Sequence, residues 1–174
     1  MIGLLIILIV LVISIIWTNS RGAPCVPTPM SMVHEMLTMA GVGPDDLVYD
    51  LGCGDGRIII TAARRYGARA VGIELDPLRF LWCQMLITVL GLRGRVRIVY
   101  GDFFKQDLSA ASVVTCYLLR VTNKKLEGKF KSELSPETRV VSNYFTFPGL
   151  QLVSEDQEEK LYLYNLRNNK NMSH

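Results

Sequence analysis

Ten residues, 48–57 (VYDLGCGDGR), constrain this chain more than any other stretch. An apolar run over 47–51 reads as a buried strand. Three glycines follow at alternate positions, Gly52, Gly54 and Gly56, and an amphipathic run begins at Arg57. Strand, bare backbone, helix is the arrangement that lets a nucleotide-like ligand approach the main chain with no Cβ in the way. The spacing narrows the class. A dinucleotide loop, GxGxxG, needs glycine five positions after the first, where this chain has Arg57. No GKS or GKT follows for a nucleotide triphosphate. The pattern is DxGxGxG, from Asp50 to Gly56.

Two further strand ends carry carboxylates. The run over 70–74 closes on Glu74, 22 residues after Gly52, where a carboxylate can accept hydrogen bonds from both hydroxyls of a ribose. The run over 96–100 leads into Gly101-Asp102-Phe103. Asp102 can accept from an adenine amino group, and Phe103 can pack on the ring. Each acidic residue alone could be a helix cap or a surface group. Three in succession at the ends of the first three strands describe one binding slot.

Around this slot the chain alternates strands and helices. Thr28-Pro29 reads as the N-cap and first position of a helix whose face is Val33, Met36, Leu37 and Ala40, ended by Gly41. Helices follow over 57–66 and 77–90, the second opened by Asp76-Pro77 and closed by Gly91. Asp55 and Arg57 cap and start the first of these. A fourth strand spans 113–118. Leu126, Phe130 and Leu134 mark a helix stopped by Ser135-Pro136, then a fifth strand spans 139–142. Strands at 150–153 and 161–164 form a last hairpin around the acidic turn 155–159. The expected fold is α/β: a Rossmann-like, doubly wound, mostly parallel sheet covered on both faces, with an antiparallel edge.

Residues 1–17 (MIGLLIILIVLVISIIW) carry no charge, and only Gly3 and Ser14 interrupt the apolar run. They lift the apolar share of the whole chain to 49%, while the remainder is ordinary for a single globular domain. No basic residue precedes the run, and TNSR follows it, so an uncleaved single-pass anchor fits better than a signal peptide. Arg21 after the span directs the domain to the cytoplasm. The expected organisation is an anchor over 1–18, a linker over 19–28, a domain over 29–168 and a tail over 169–174.

The net charge of +3 is too small to argue for nucleic acid, and none is expected as a partner. Arg120, Lys124, Lys125, Lys129 and Lys131 read as a solvated helix face, with an acidic partner or anionic headgroups as the alternative. His34 falls on a polar helix side. Cys25, Cys53, Cys83 and Cys116 are widely spaced with no CxxC pair, and no metal is expected. The 77–90 helix is apolar beyond what covering a sheet requires; its excess would face a partner or a bilayer.

The glycine loop with its acidic partners resembles class I S-adenosylmethionine-dependent methyltransferases, over residues from about 24 to 166. The resemblance implies a seven-stranded sheet with a reversed last strand. It implies S-adenosyl-L-methionine as cofactor, held by Thr28, Asp50, Gly52, Gly54, Gly56, Glu74, Asp102 and Phe103. Within that class, VPTP at 26–29, DLGCGDGRIIITAA at 50–63, VVTCYLLR at 113–120 and TRVVSNYF at 138–145 resemble the small archaeal protein-lysine methyltransferases. They also resemble the membrane-anchored mitochondrial lysine methyltransferases that act on the c-ring protein of ATP synthase. Those relatives imply a protein substrate with a lysine acceptor. This chain departs from the archaeal pattern at Cys25, where an aromatic residue is usual, and at Cys116-Tyr117, where Met-Phe is usual.

The fourth strand bears on the acceptor independently. Amide and base nitrogens are poor nucleophiles, and their methyltransferases commonly place (N/D)PP(Y/F/W) there. This chain has Thr115-Cys116-Tyr117-Leu118. A lysine amine is a good nucleophile once deprotonated, and burial lowers its pKa. No general base can be assigned; Tyr117 and Tyr144 are candidates for orienting the amine. Methylation of a small molecule, lipid or RNA is the second enzymatic reading, and a non-catalytic cofactor-binding domain the third.

Overall fold

Strand β1, Leu47–Leu51, is an inner strand of a seven-stranded sheet in a computed structural model that describes residues 27–166. The expected anchor, most of the linker and the tail lie outside the described residues. Among the described residues no helix is long and apolar enough to cross a membrane. The other strands are β2 (Arg69–Glu74), β3 (Val96–Tyr100), β4 (Val113–Cys116), β5 (Arg139–Asn143), β6 (Gln151–Asp156) and β7 (Leu161–Asn165). The helices are α1 (Met30–Met39), α2 (Arg57–Arg65), α3 (Pro77–Val89) and α4 (Arg120–Glu133).

The strand order is β3-β2-β1-β4-β5-β7-β6. The first five strands pair in parallel, and β7 runs antiparallel between β5 and β6. The order reverses between β1 and β4, and ligands of such sheets bind outside the carboxyl ends of the strands at that reversal. The antiparallel element is therefore one strand inserted next to the edge.

Strand alternation sorts the core into two layers. Val48, Ala70, Val113 and Val141 join Val33, Met36 and Leu37 of α1, Ile59 and Ala62 of α2, and Cys83 and Ile87 of α3. Leu51, Ile73, Val114 and Val140 face Leu126 and Phe130 of α4, with Phe147 and Tyr164.

Helix ends follow their caps. α1 begins at Met30 with Pro29 as N-cap, so Thr28 provides no side-chain cap, contrary to the sequence reading. The helix stops in a left-handed Gly41, with Gly41 N–H bonded to Thr38 O and Val42 N–H to Leu37 O. α3 opens as expected: Asp76 Oδ1 accepts from Leu78 N–H and Arg79 N–H, both at 2.9 Å, with Pro77 in the first turn. β4 ends two residues before the expected 118, because Leu118 turns out of the ladder toward the glycine loop. α4 starts at Arg120, earlier than its apolar residues suggest, because its buried face opens with a polar residue, Asn123.

A tight point in the first layer is Gly72 of β2. A Cβ there would sit 2.6 Å from Cys53 Sγ and 2.7 Å from Ile59 Cδ1. Its bareness lets α2 and the glycine loop close down on the sheet. Gly72→Ala should cost about 1–3 kcal/mol in denaturant unfolding, the usual range for overpacking. It should also weaken ligand binding, because Cys53 belongs to the loop.

Candidate functional site

The glycine loop leaves β1 and enters α2 through three left-handed glycines, with φ of 79° at Gly52, 58° at Gly54 and 80° at Gly56. Only glycine takes up this conformation without cost. Gly52 N–H and Cys53 N–H both donate to Ile73 O, which ties the loop to the tip of β2. The three glycines differ in what they face. A Cβ on Gly52 would meet Leu118 Cδ2, beyond the end of β4, at 3.5 Å. A Cβ on Gly56 would collide with Cys83 Sγ. Gly56 thus serves the close approach of α2 and α3, while Gly52 borders the space between the β1 and β4 tips.

Glu74 closes β2 and is buried. Its Oε2 accepts from Gly54 N–H and its Oε1 from Asp76 N–H, both at 2.8 Å. One carboxylate therefore sets the loop after β1 and the start of α3 together. Each oxygen retains acceptor capacity for a second donor such as a ribose hydroxyl. At the end of β3, Gly101 N–H donates to Glu74 O. Asp102 is half-buried and accepts from Phe104 N–H at 2.9 Å. Half-buried Phe103 packs against Phe104 with ring centroids 4.9 Å apart. Glu74, Asp102 and Phe103 thus follow one another along adjacent strand tips, the order needed to hold a ribose and then a base.

Asp50 lies one strand nearer the centre, buried, and paired in register with Thr115 of β4. Thr115 Oγ1 donates to Asp50 Oδ1 at 2.8 Å. Burial pushes the Asp50 carboxyl up from 3.8 to about 7, against the Thr115 hydrogen bond, and the charges of Glu74 and Asp55 add to the rise. The slot therefore favours a cation that lets Asp50 ionise. Cationic ligand affinity should rise with pH between 6 and 8 and be pH-independent there in Asp50→Asn, as read by titration calorimetry. The sign for the ligand-free fold is opposite. Asp50's contribution to stability is complete below 3.8 and is lost as the pH rises through 7. Asp50→Asn should accordingly melt higher than the parent at pH 8.

Sequence reasoning missed Arg57 as an organiser. Its guanidinium forks onto the Asp55 carboxylate at 2.5–3.0 Å, and its Nη1 donates to Thr28 O at 2.6 Å. Asp55 takes a backbone bond from Arg57 N–H at 3.2 Å. This fixes buried Thr28, and with it the segment entering α1, beside the glycine loop. The Arg57 hydrogen bond holds the Asp55 carboxyl below its ordinary range. A DxR spacing that spans the third glycine, Asp55-Gly56-Arg57, is the signal that could have revealed it.

The cysteines near the slot are buried thiols. The Cys83 thiol beside Cys53 and the burial of the pair push Cys53 well above its usual range, and burial does the same for Cys116. Neither Cys53 nor Cys116 is poised as a thiolate nucleophile. Among the described residues no group of His, Cys, Asp or Glu is arranged to hold a metal ion.

On the acceptor side, Tyr117 follows the tip of β4 and Tyr144 the tip of β5. These tips are adjacent, since Cys116 pairs with Ser142. Tyr144 has φ 71°, unusual for an aromatic residue and a form of strain that collects at functional sites. Its N–H donates to Lys160 O at 2.7 Å, and Lys160 Nζ stands 4.2 Å from its ring centroid. The loop is braced by Asn123, whose Nδ2 donates to Phe145 O at 2.9 Å and Ser142 Oγ at 3.2 Å. The ring thus makes a cation–π contact with a lysine ammonium of its own chain.

Comparison with known proteins meets this geometry. Residues 50–154 match the family model of the ANTKMT methyltransferase domain. A protein-lysine N-methyltransferase of Saccharolobus islandicus is 45% identical over 148 residues, covering 81% of this chain and 92% of the relative. A human lysine N-methyltransferase named for the c-ring protein of ATP synthase is 32% identical over 125 residues, covering 72% of this chain; the match takes in 53% of that longer protein. A solved structure described as an RNA methyltransferase from Salinibacter ruber, in complex with S-adenosyl-L-homocysteine, is 42% identical with a TM-score of 0.72. It covers 80% of this chain and 91% of its own.

Proposed function

The chain belongs to the ANTKMT methyltransferase domain family, and we propose that it methylates lysine side chains of proteins, membrane proteins among them. It is an S-adenosylmethionine-dependent methyltransferase. The observation that carries the reading is the slot itself: bare backbone at Gly52 and Gly54, with Glu74 and Asp50 buried at its walls.

The residues present fit that cofactor. Glu74 would accept from the ribose hydroxyls, Asp102 and Phe103 would hold the adenine, and Asp50 and Thr28 would flank the methionine end. When bound, S-adenosylmethionine supplies an electrophilic methyl group on a sulfonium. The chain's part is to orient and to dry. Leu118, against Gly52, helps wall the space between the β1 and β4 tips. An amine entering there loses water, which favours its neutral, nucleophilic form. Tyr117 and Tyr144 would aim the amine along the line to the methyl group. A dedicated general base is not required for a neutral amine.

The lysine acceptor is supported by the 45% identical relative and by the absence of a proline pair after β4. For the apolar 1–17 segment we infer a single-pass anchor, with Arg21 directing the domain to the cytoplasmic side. The test is incubation of the full chain in detergent with isotopically labelled S-adenosylmethionine and a native membrane extract, read by mass spectrometry. Label on lysine ε-nitrogens is expected. Label confined to RNA, which the Salinibacter ruber description makes a pointed alternative, or to lipid would contradict the lysine reading.

A further inference from the structure

Helix α3 is apolar on two opposite faces. Cys83 and Ile87 pack into the core. On the far side, at helical spacing, Leu81 is 58% exposed, Trp82 52%, Met85 46% and Val89 75%. A stripe of this size has no structural role within the described fold, since the core is already closed beneath it.

The charge around the stripe is one-sided. Between Arg57 and Tyr100 the chain carries eight arginines and two carboxylates, Glu74 and Asp76, and both carboxylates are buried. Arg64, Arg65, Arg69, Arg93, Arg95 and Arg97 are all exposed. They fall at the end of α2, in the turn after α3 and in β2 and β3, along the amino-terminal edge of the sheet, and Arg93, Arg95 and Arg97 flank the Val89 end of the stripe. Arginine guanidinium matches phosphate in geometry as well as charge. Arg64 and Arg65 also border a groove of about 470 Å³ between α1 and α2.

The chain enters on the same face of the sheet as α3, at the carboxyl-terminal edge beside the glycine loop. α1, α2 and α3 share one core layer, and the nine residues 18–26 join the apolar 1–17 run to Pro27 just ahead of α1. Nine extended residues reach about 30 Å. A tether of that reach lets the face formed by α2 and α3 meet the membrane.

We propose that the outer face of α3 rests on an anionic lipid surface. Leu81, Trp82, Met85 and Val89 enter the headgroup boundary, and the arginine rim meets lipid phosphates. α3 then lies along the bilayer plane. The slot opens at the carboxyl ends of the strands and faces sideways, at the height of a lysine on a membrane protein just outside the bilayer. The proposal rests on the anchor reading for delivery of the domain and goes beyond it in assigning a docking face.

Trp17 and Trp82 are the only tryptophans, so full-length Trp17→Phe reports on the face alone. It would be mixed with phosphatidylcholine vesicles with and without phosphatidylserine, with brominated acyl chains as quencher. Trp82 should lose about half its emission on the anionic vesicles and less on the neutral ones. Adding Leu81→Glu and Val89→Glu should leave flotation with vesicles and cofactor binding intact while abolishing the quenching. Flotation with Trp82 still unquenched would overturn the docking face and leave the anchor standing. Failure to float would overturn both. Emission that responds to protein density or to added RNA, and not to lipid, would name a second copy or a nucleic acid as occupant and overturn the proposal.

Discussion

Gly54→Val is expected to leave a folded protein with no measurable affinity for S-adenosylmethionine, a loss of at least about 1000-fold, or about 4 kcal/mol. Gly54 sits at φ 58°, which a β-branched residue adopts only under strain of roughly 1–3 kcal/mol. Relieving that strain rotates the Gly54 N–H away from Glu74 Oε2, its partner at 2.8 Å. The added side chain also puts carbon where the ligand must approach the main chain. Gly91→Val is the matched control. Gly91 has φ 67° with open space around its Cβ position, in the turn after α3. It carries the same strain without the slot, so calorimetry should find its cofactor affinity close to that of the parent. Equal losses in both variants would assign the effect to stability and not to the loop.

Glu74→Gln is expected to lower cofactor affinity about 100-fold or more. Both Glu74 oxygens already accept backbone N–H groups, from Gly54 and Asp76. An amide has one acceptor oxygen and one donor nitrogen. Its NH2 group must therefore face one of those N–H donors, leaving a buried donor unpaired at about 1–3 kcal/mol. The ribose hydroxyls lose a charged acceptor at the same time, worth about 1.5–3 kcal/mol per hydrogen bond. Melting temperature should fall as well, since the carboxylate ties β1, β2 and α3 in the free protein. Calorimetry with S-adenosylhomocysteine alongside thermal melts separates the two effects: the affinity loss should exceed what the fall in stability accounts for.

The parts of this molecule legible in the sequence are those in which a residue's local chemistry and its tertiary role coincide. Glycines between a strand and a helix must bend the backbone, and they do. Asp76-Pro77 caps α3 by short-range hydrogen bonds that need no knowledge of the rest of the fold. What stayed hidden depends on contacts distant in sequence. Gly72 looks like one small residue in an apolar strand; its role is set by Cys53 and Ile59 arriving from another element. Arg57 reads as the first residue of a helix, yet it reaches Thr28, 29 residues earlier. Asn123 masks the start of α4 because its buried amide serves the loop after β5 and not the apolar pattern. The placement of β7 between β5 and β6 follows from pairing, which a hairpin read along the chain does not reveal. Tyr144 gives no sign in one dimension of its left-handed backbone. The geometry of the strand tips proposed to hold the cofactor was thus far more legible than that of the loops proposed to receive the acceptor, which are braced at long range.

The most direct measurement is a crystal structure of the protein with S-adenosylhomocysteine. The account predicts the adenosyl group along Gly52 and Gly54, its ribose hydroxyls on Glu74, its base beside Asp102 and Phe103, and the amino end of its homocysteine toward Asp50. Density for the compound elsewhere, or a slot closed over by Cys53 and Leu118 at saturating compound, would contradict it.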